Sequence, residues 1–159
     1  MNTRAILIGG IVASLVLAMW EMIVEVIIPG GAGFFGPPIA IGATIVRSLQ
    51  GAANPIPFDG LALVLGLMGH MMNSVVLAAI FGLVVTRLAT SSSGTVALGM
   101  AWGVVVFVAT RFLVVPAVDP LMLNLNAAAF FAGHLMWGGA LGFAWSRFGF
   151  AKATMARIG

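Results

Sequence analysis

The stretch NAAAFFAGHLMWGGALGFAWSRF, Asn126–Phe148, decides the class of this chain. Its single charged residue, Arg147, stands next to its end. A helix needs roughly 20 apolar residues to cross a hydrocarbon core of about 30 Å, and this run is long enough. Residues 5–28, 61–86 and 95–115 have the same character. The chain has 159 residues, 62% hydrophobic and 7% charged, with a mean hydropathy of +1.17. A soluble domain of this size cannot hide that much apolar surface. The runs are continuous and do not alternate over about ten residues, which excludes an outer-membrane barrel. The first run is too long for a cleaved signal peptide, carries Glu21 and Glu25, and lacks a small-residue cleavage site. The expected fold is all-α: one membrane domain over residues 1–159, an integral four-helix bundle.

Charge placement sets the expected topology. Arg4 precedes the first span, Arg87 lies between the second and third, and Arg147, Lys152 and Arg157 close the fourth. The positive-inside rule then puts both termini and the short 2–3 turn in the cytoplasm, with the protein in the cell's inner (plasma) membrane. The four acids, Glu21, Glu25, Asp59 and Asp119, fall towards the other side, accompanied by Arg47 and Arg111. The isoelectric point near 11.3 reflects the cytoplasmic cations, which suit anionic lipid headgroups and not nucleic acid. The absence of cysteine excludes disulfides, thiolate metal sites and a cysteine nucleophile. No phosphate loop, nucleophile elbow, His-Glu-x-x-His or dinucleotide fingerprint occurs.

Pro29-Gly30-Gly31 breaks the first span. The outer loop 29–60 is long, and the apolar segment at about 38–50 is too short to span. Opened by Pro37 and Pro38, it reads as a re-entrant or interfacial helix. Asp59 is placed to cap the second span, and Asn124 or Asn126 the fourth.

The spans correspond in pairs. The first and third close at Pro29 and Pro116. The second and fourth carry Gly69-His70-Met71-Met72 and Gly133-His134-Leu135-Met136. The expectation is two parallel helix-hairpin repeats related by an axis along the membrane normal. This order, with Gly9-Gly10 in the first span and Gly-His-Leu-Met-Trp-Gly-Gly-Ala-Leu-Gly in the last, resembles a loose group of small bacterial and archaeal four-helix membrane proteins of unknown function. The resemblance covers most of the chain outside the long loop. It implies the four-helix architecture and no activity.

The only two histidines stand on stripes of small residues: Gly66, Ser74, Ala78 and Gly82 with His70, and Gly138, Gly142 and Ser146 with His134. Such stripes favour close helix contact in lipid, so both imidazoles are expected to face protein. Either they bond a neighbouring helix, or they bind something. Imidazole is an axial ligand for haem iron, and Gly138 would let a flat macrocycle approach the backbone; His70, His134 and Gly138 are thus the candidate site for haem b. Glu21, Glu25, His70 and His134 together would suit a divalent metal or a proton path. Charged groups inside a membrane seek partners, and Arg111 is the natural partner for Glu21 or Glu25. The methionines near the histidines project from other helix faces and read as packing.

The functional expectation is a small non-catalytic membrane protein acting as an accessory subunit or a homo-oligomer, with other membrane subunits and the lipid bilayer as its partners. The alternatives are a bis-histidine haem b electron carrier and a proton or metal-ion pathway through Glu21, Glu25, His70 and His134.

Overall fold

The computed structural model describes residues 2–88 and 91–149. Lys152 and Arg157, part of the expected cytoplasmic cluster, and residues 89 and 90 of the 2–3 turn lie outside them. Every regular element among the described residues is helical, and four helices are long and apolar enough to cross a membrane.

Each helix begins and ends where its local chemistry requires. Helix α1, Thr3–Ile27, is capped by the Asn2 side chain, which accepts from the Ala5 N–H. It stops at Ile28, whose backbone is extended, as the residue before a proline prefers. Helix α2, Gly36–Gly42, holds Pro37 and Pro38 in its first turn, where a missing N–H leaves no bond unmade. Helix α3, Gly60–Leu88, starts at Asp59, whose carboxylate accepts from the Ala62 N–H at 2.8 Å. Ser91 caps α4, Ser92–Ala109. That helix continues through a wide π turn, Thr110–Val114, into α5, Val115–Val118. Pro116 explains the wide turn: it offers no N–H to the preceding turn and its ring presses on the carbonyl there. The third span therefore runs to Val118 and does not stop at 115. Asn126 caps α6, Ala127–Phe148, accepting from the Ala128 and Ala129 N–H groups. The expected segment at 38–50 is helical only to Gly42, and then turns through a short 3-10 stretch, Arg47–Leu49.

Around the bundle the long helices run α3, α1, α6, α4. Helix α1 packs on α3 and α6, and α6 packs on α4, whereas α3 and α4 meet only marginally. This order places α3 across from α6 and α1 across from α4. The α1–α6 seam is closed and the α3–α4 seam is nearly open. The two ends of the described chain meet, since the Asn2 amide donates to the Phe148 carbonyl at 2.5 Å and Arg4 lies over the Phe148 ring. We call this the terminal end, and the opposite one the loop end.

Glycines let three pairs of backbones touch. A Cβ on Gly138 would strike the Gly99 carbonyl, and one on Gly103 the His134 carbonyl, so α4 lies directly on α6. A Cβ on Gly66 would strike the Pro38 carbonyl and one on Gly42 the Ala62 carbonyl, so α2 lies on α3. A Cβ on Gly10 would meet the Val75 backbone, which joins α1 to α3. Two apolar cores result. One, around Phe81, Trp137, Leu141 and Trp145, fills the bundle towards the terminal end. The other, around Ile39, Ala40, Ile56, Leu121 and Leu125, underlies the loop end.

A polar network ties the loop end across itself. Asp119 accepts from the Thr44 hydroxyl at 2.8 Å and from the Gln50 amide at 2.6 Å. Gln50 in turn accepts from the Leu121 N–H, and Arg47 donates to the Val118 carbonyl. Burial pushes the Asp119 carboxyl above the ordinary aspartate range, opposed by the hydrogen bonds from Gln50 and Thr44 and by the Arg47 charge.

Candidate functional site

Between the two cores the bundle leaves a cavity of about 430 Å³. Helices α1, α3, α4 and α6 wall it, and α2 with the Asp119 turn roofs it. Small-molecule sites commonly span roughly 300–1,000 Å³. Most of its lining is aliphatic, and the polar exceptions include Glu21, His70, Asn73, Thr110 and His134. Its mouth lies on the open seam, where the lining residues Leu67 and Asn73 of α3 and Val114 and Val118 of α4–α5 are exposed.

The floor is a relay of hydrogen bonds. Trp137 of α6 donates its indole N–H to the Ser74 hydroxyl of α3 at 2.8 Å, and Ser74 donates to the Gly10 carbonyl of α1 at 2.7 Å. The two histidines stand about one turn towards the loop end from this link, His70 four residues before Ser74 and His134 three before Trp137. Their helices are thus held together directly below them.

Each imidazole is fixed by a carbonyl. His70 Nε2 bonds the Ser14 carbonyl at 3.2 Å, and His134 Nδ1 bonds the Phe130 carbonyl at 2.8 Å. A carbonyl only accepts, so these two nitrogens carry protons. The other nitrogen of each ring, Nδ1 of His70 and Nε2 of His134, has no partner among the described residues. Phe107 and Phe130 flank the His134 ring edge-on, at centroid distances of 5.8 and 4.4 Å.

The two glutamates part company here. Glu25 is 1% exposed. Its carboxylate accepts from the Ala32 N–H at 2.8 Å and from the Asn126 N–H at 2.6 Å. It fastens the end of α1 to the following loop and to the start of α6, and it does not line the cavity. Glu21 is 4% exposed and neither of its oxygens has a partner among the described residues. It lies against Gly133, where a Cβ would come within 3.0 Å of its oxygen. The glycine before His134 thus makes room for the Leu17 and Trp20 side chains and, behind them, for the carboxyl.

Three sequence expectations are corrected by this geometry. Arg111 pairs with neither Glu21 nor Glu25; its Nη1 is buried without a partner in the π turn, and Glu25 is already satisfied by backbone. Glu21, Glu25, His70 and His134 do not form a metal centre: among the described residues no three acidic or histidine side chains cluster closely enough to hold an ion. Gly138 does not open a slot for haem, because its face is filled by Gly99 and Gly103 of α4.

No family model, curated protein or solved structure matches the chain. The case for function therefore rests on the cavity. The sequence marked His70, His134 and Glu21 but missed its remaining parts. Asn73, a carboxamide in the middle of an apolar span, was a visible signal. The wide turn at Thr110 had one too, in the proline that follows it at 116. The Ser74–Trp137 link had none, because no spacing rule pairs residues on opposite helices.

Proposed function

We propose that this is a non-catalytic multi-pass membrane protein that holds a small membrane-soluble molecule in the cavity at mid-bundle. Its four helices span the cell membrane, with both termini on the cytoplasmic side. The observation that carries the reading is Glu21. A carboxyl group buried with neither oxygen partnered is costly, and it sits on a cavity shared with two half-bonded imidazoles. Fold stability alone gains nothing from it, so it supports a ligand-binding role.

The cavity supports binding over conduction. Towards the terminal end its floor is backed by the large buried side chains of Trp137, Phe81, Leu141 and Trp145. The accessory or oligomeric role keeps one supporting observation of its own. Asn73 faces outward on the open seam, where a carboxamide at mid-span can bond a helix of another subunit.

Solvent extraction of the protein purified with its native lipids tests the reading. Wild type should yield a small molecule in near one-to-one amount. Thr110→Trp, which places an indole in the cavity wall, should lose it while Glu25 and the loop-end network keep the fold. Equal extracts from both folded proteins would overturn the proposal.

A further inference from the structure

We propose that the ligand is a membrane-soluble hydroquinone, a flat ring with a hydroxyl at each end, entering sideways through the α3–α4 seam. This inference rests on the binding role proposed above and adds the chemistry of the occupant.

The hydrogen-bonding state of the two histidines points to the ligand. The protons of both imidazoles are committed to the Ser14 and Phe130 carbonyls. In a neutral ring the remaining nitrogen is then a lone pair and only accepts. The walls thus offer two acceptors on helices that stand across from each other, joined directly below by the Trp137–Ser74 bond. Two acceptors on the walls of one cavity call for two donors on one rigid molecule. A quinone, with two carbonyl oxygens, presents acceptor to acceptor at both ends. A hydroquinone presents an O–H to each imidazole. Glu21 completes the set, because a carboxyl can accept from a hydroxyl or, as the acid, donate to its oxygen.

Shape agrees with this choice. Phe130 and Trp137 line the cavity beside His134, and aromatic rings favour a flat aromatic occupant by offset or edge contacts. The mouth is bordered by Leu67, Val114 and Val118. These residues lie along the seam between helices, and the Asp119 network spans the loop end beside them. An alkyl tail on the ring can therefore remain among lipid chains while the ring is held inside. The proposal concerns binding only, and no electron is transferred.

The test uses three alkylated probes with the full-length protein in lipid nanodiscs: a hydroquinone, the matching quinone, and the hydroquinone dimethyl ether, which lacks both donors. Binding is read by equilibrium dialysis. The hydroquinone should bind at least about tenfold tighter than either other probe, about the effect of one to two hydrogen bonds. His134→Phe should bring the hydroquinone down to the level of the ether and leave the ether unchanged. If the ether or the quinone binds as tightly as the hydroquinone, the ligand class is wrong and the cavity remains a binding site. If none of the three binds saturably, and solvent extraction also yields nothing, the binding role itself falls.

Discussion

Glu21 and Glu25 stand one turn apart on α1, and their replacement by methionine should have opposite effects on stability. Glu25→Met removes the acceptor for two backbone donors, the Ala32 and Asn126 N–H groups at 2.8 and 2.6 Å. Each orphaned buried donor costs about 1–3 kcal/mol, so the change should destabilise by about 2–6 kcal/mol. The loss falls where α1, the following loop and α6 meet, so no single helix can relax to repair it. Glu21→Met removes a carboxyl whose oxygens bond nothing and fills the same space with apolar atoms. It should be neutral or stabilising by up to about 3 kcal/mol, a gain of the kind that binding sites forgo. The assay is SDS titration of each purified variant in mixed micelles, followed by tryptophan fluorescence. Equal destabilisation by the two changes would refute the division of roles between the glutamates.

Three further outcomes follow from the packing and charge. Gly138→Ala should separate α4 from α6 at the Gly99 carbonyl and destabilise by about 1–3 kcal/mol, whereas Gly69→Ala, where a Cβ meets nothing within 4 Å, should be tolerated; equal losses in the same titration would contradict the glycine contact. Asp119 has a carboxyl raised above its ordinary value of 3.8. The unfolded chain therefore releases its proton first, and the contribution is complete below that value and fades as pH rises through the raised one. Asp119→Asn should accordingly gain stability relative to wild type as pH is raised, and a pH-independent difference would refute the burial argument. A cysteine at Ser92 should be labelled only from the cytoplasmic side and one at Gly51 only from outside; the reverse pattern would invert the topology.

The helices were legible because apolar length and capping chemistry are local. Asp59 and Asn126 cap where their side chains can reach free N–H groups, and the class of the chain follows from its four long apolar runs. The π turn was less legible, since Pro116 reads equally well as a helix end. The partners of buried charges were not legible. Depth alone favours pairing Arg111 with a glutamate, but backbone donors from Ala32 and Asn126 satisfy Glu25, and these come from parts of the chain 7 and 101 residues away. The role of Gly138 misled for a related reason. A small residue signals close approach, and the sequence does not say whether a helix or a ligand makes it.

Whether His70 and His134 turn bare nitrogens towards a ligand in the cavity can be read by nitrogen-15 NMR of the histidine side chains in lipid. His70 should show protonated Nε2 and bare Nδ1, and His134 protonated Nδ1 and bare Nε2, with both bare signals shifting when an alkylated hydroquinone is added. Reversed tautomers, or bare-nitrogen signals that stay fixed at saturating hydroquinone, would contradict it.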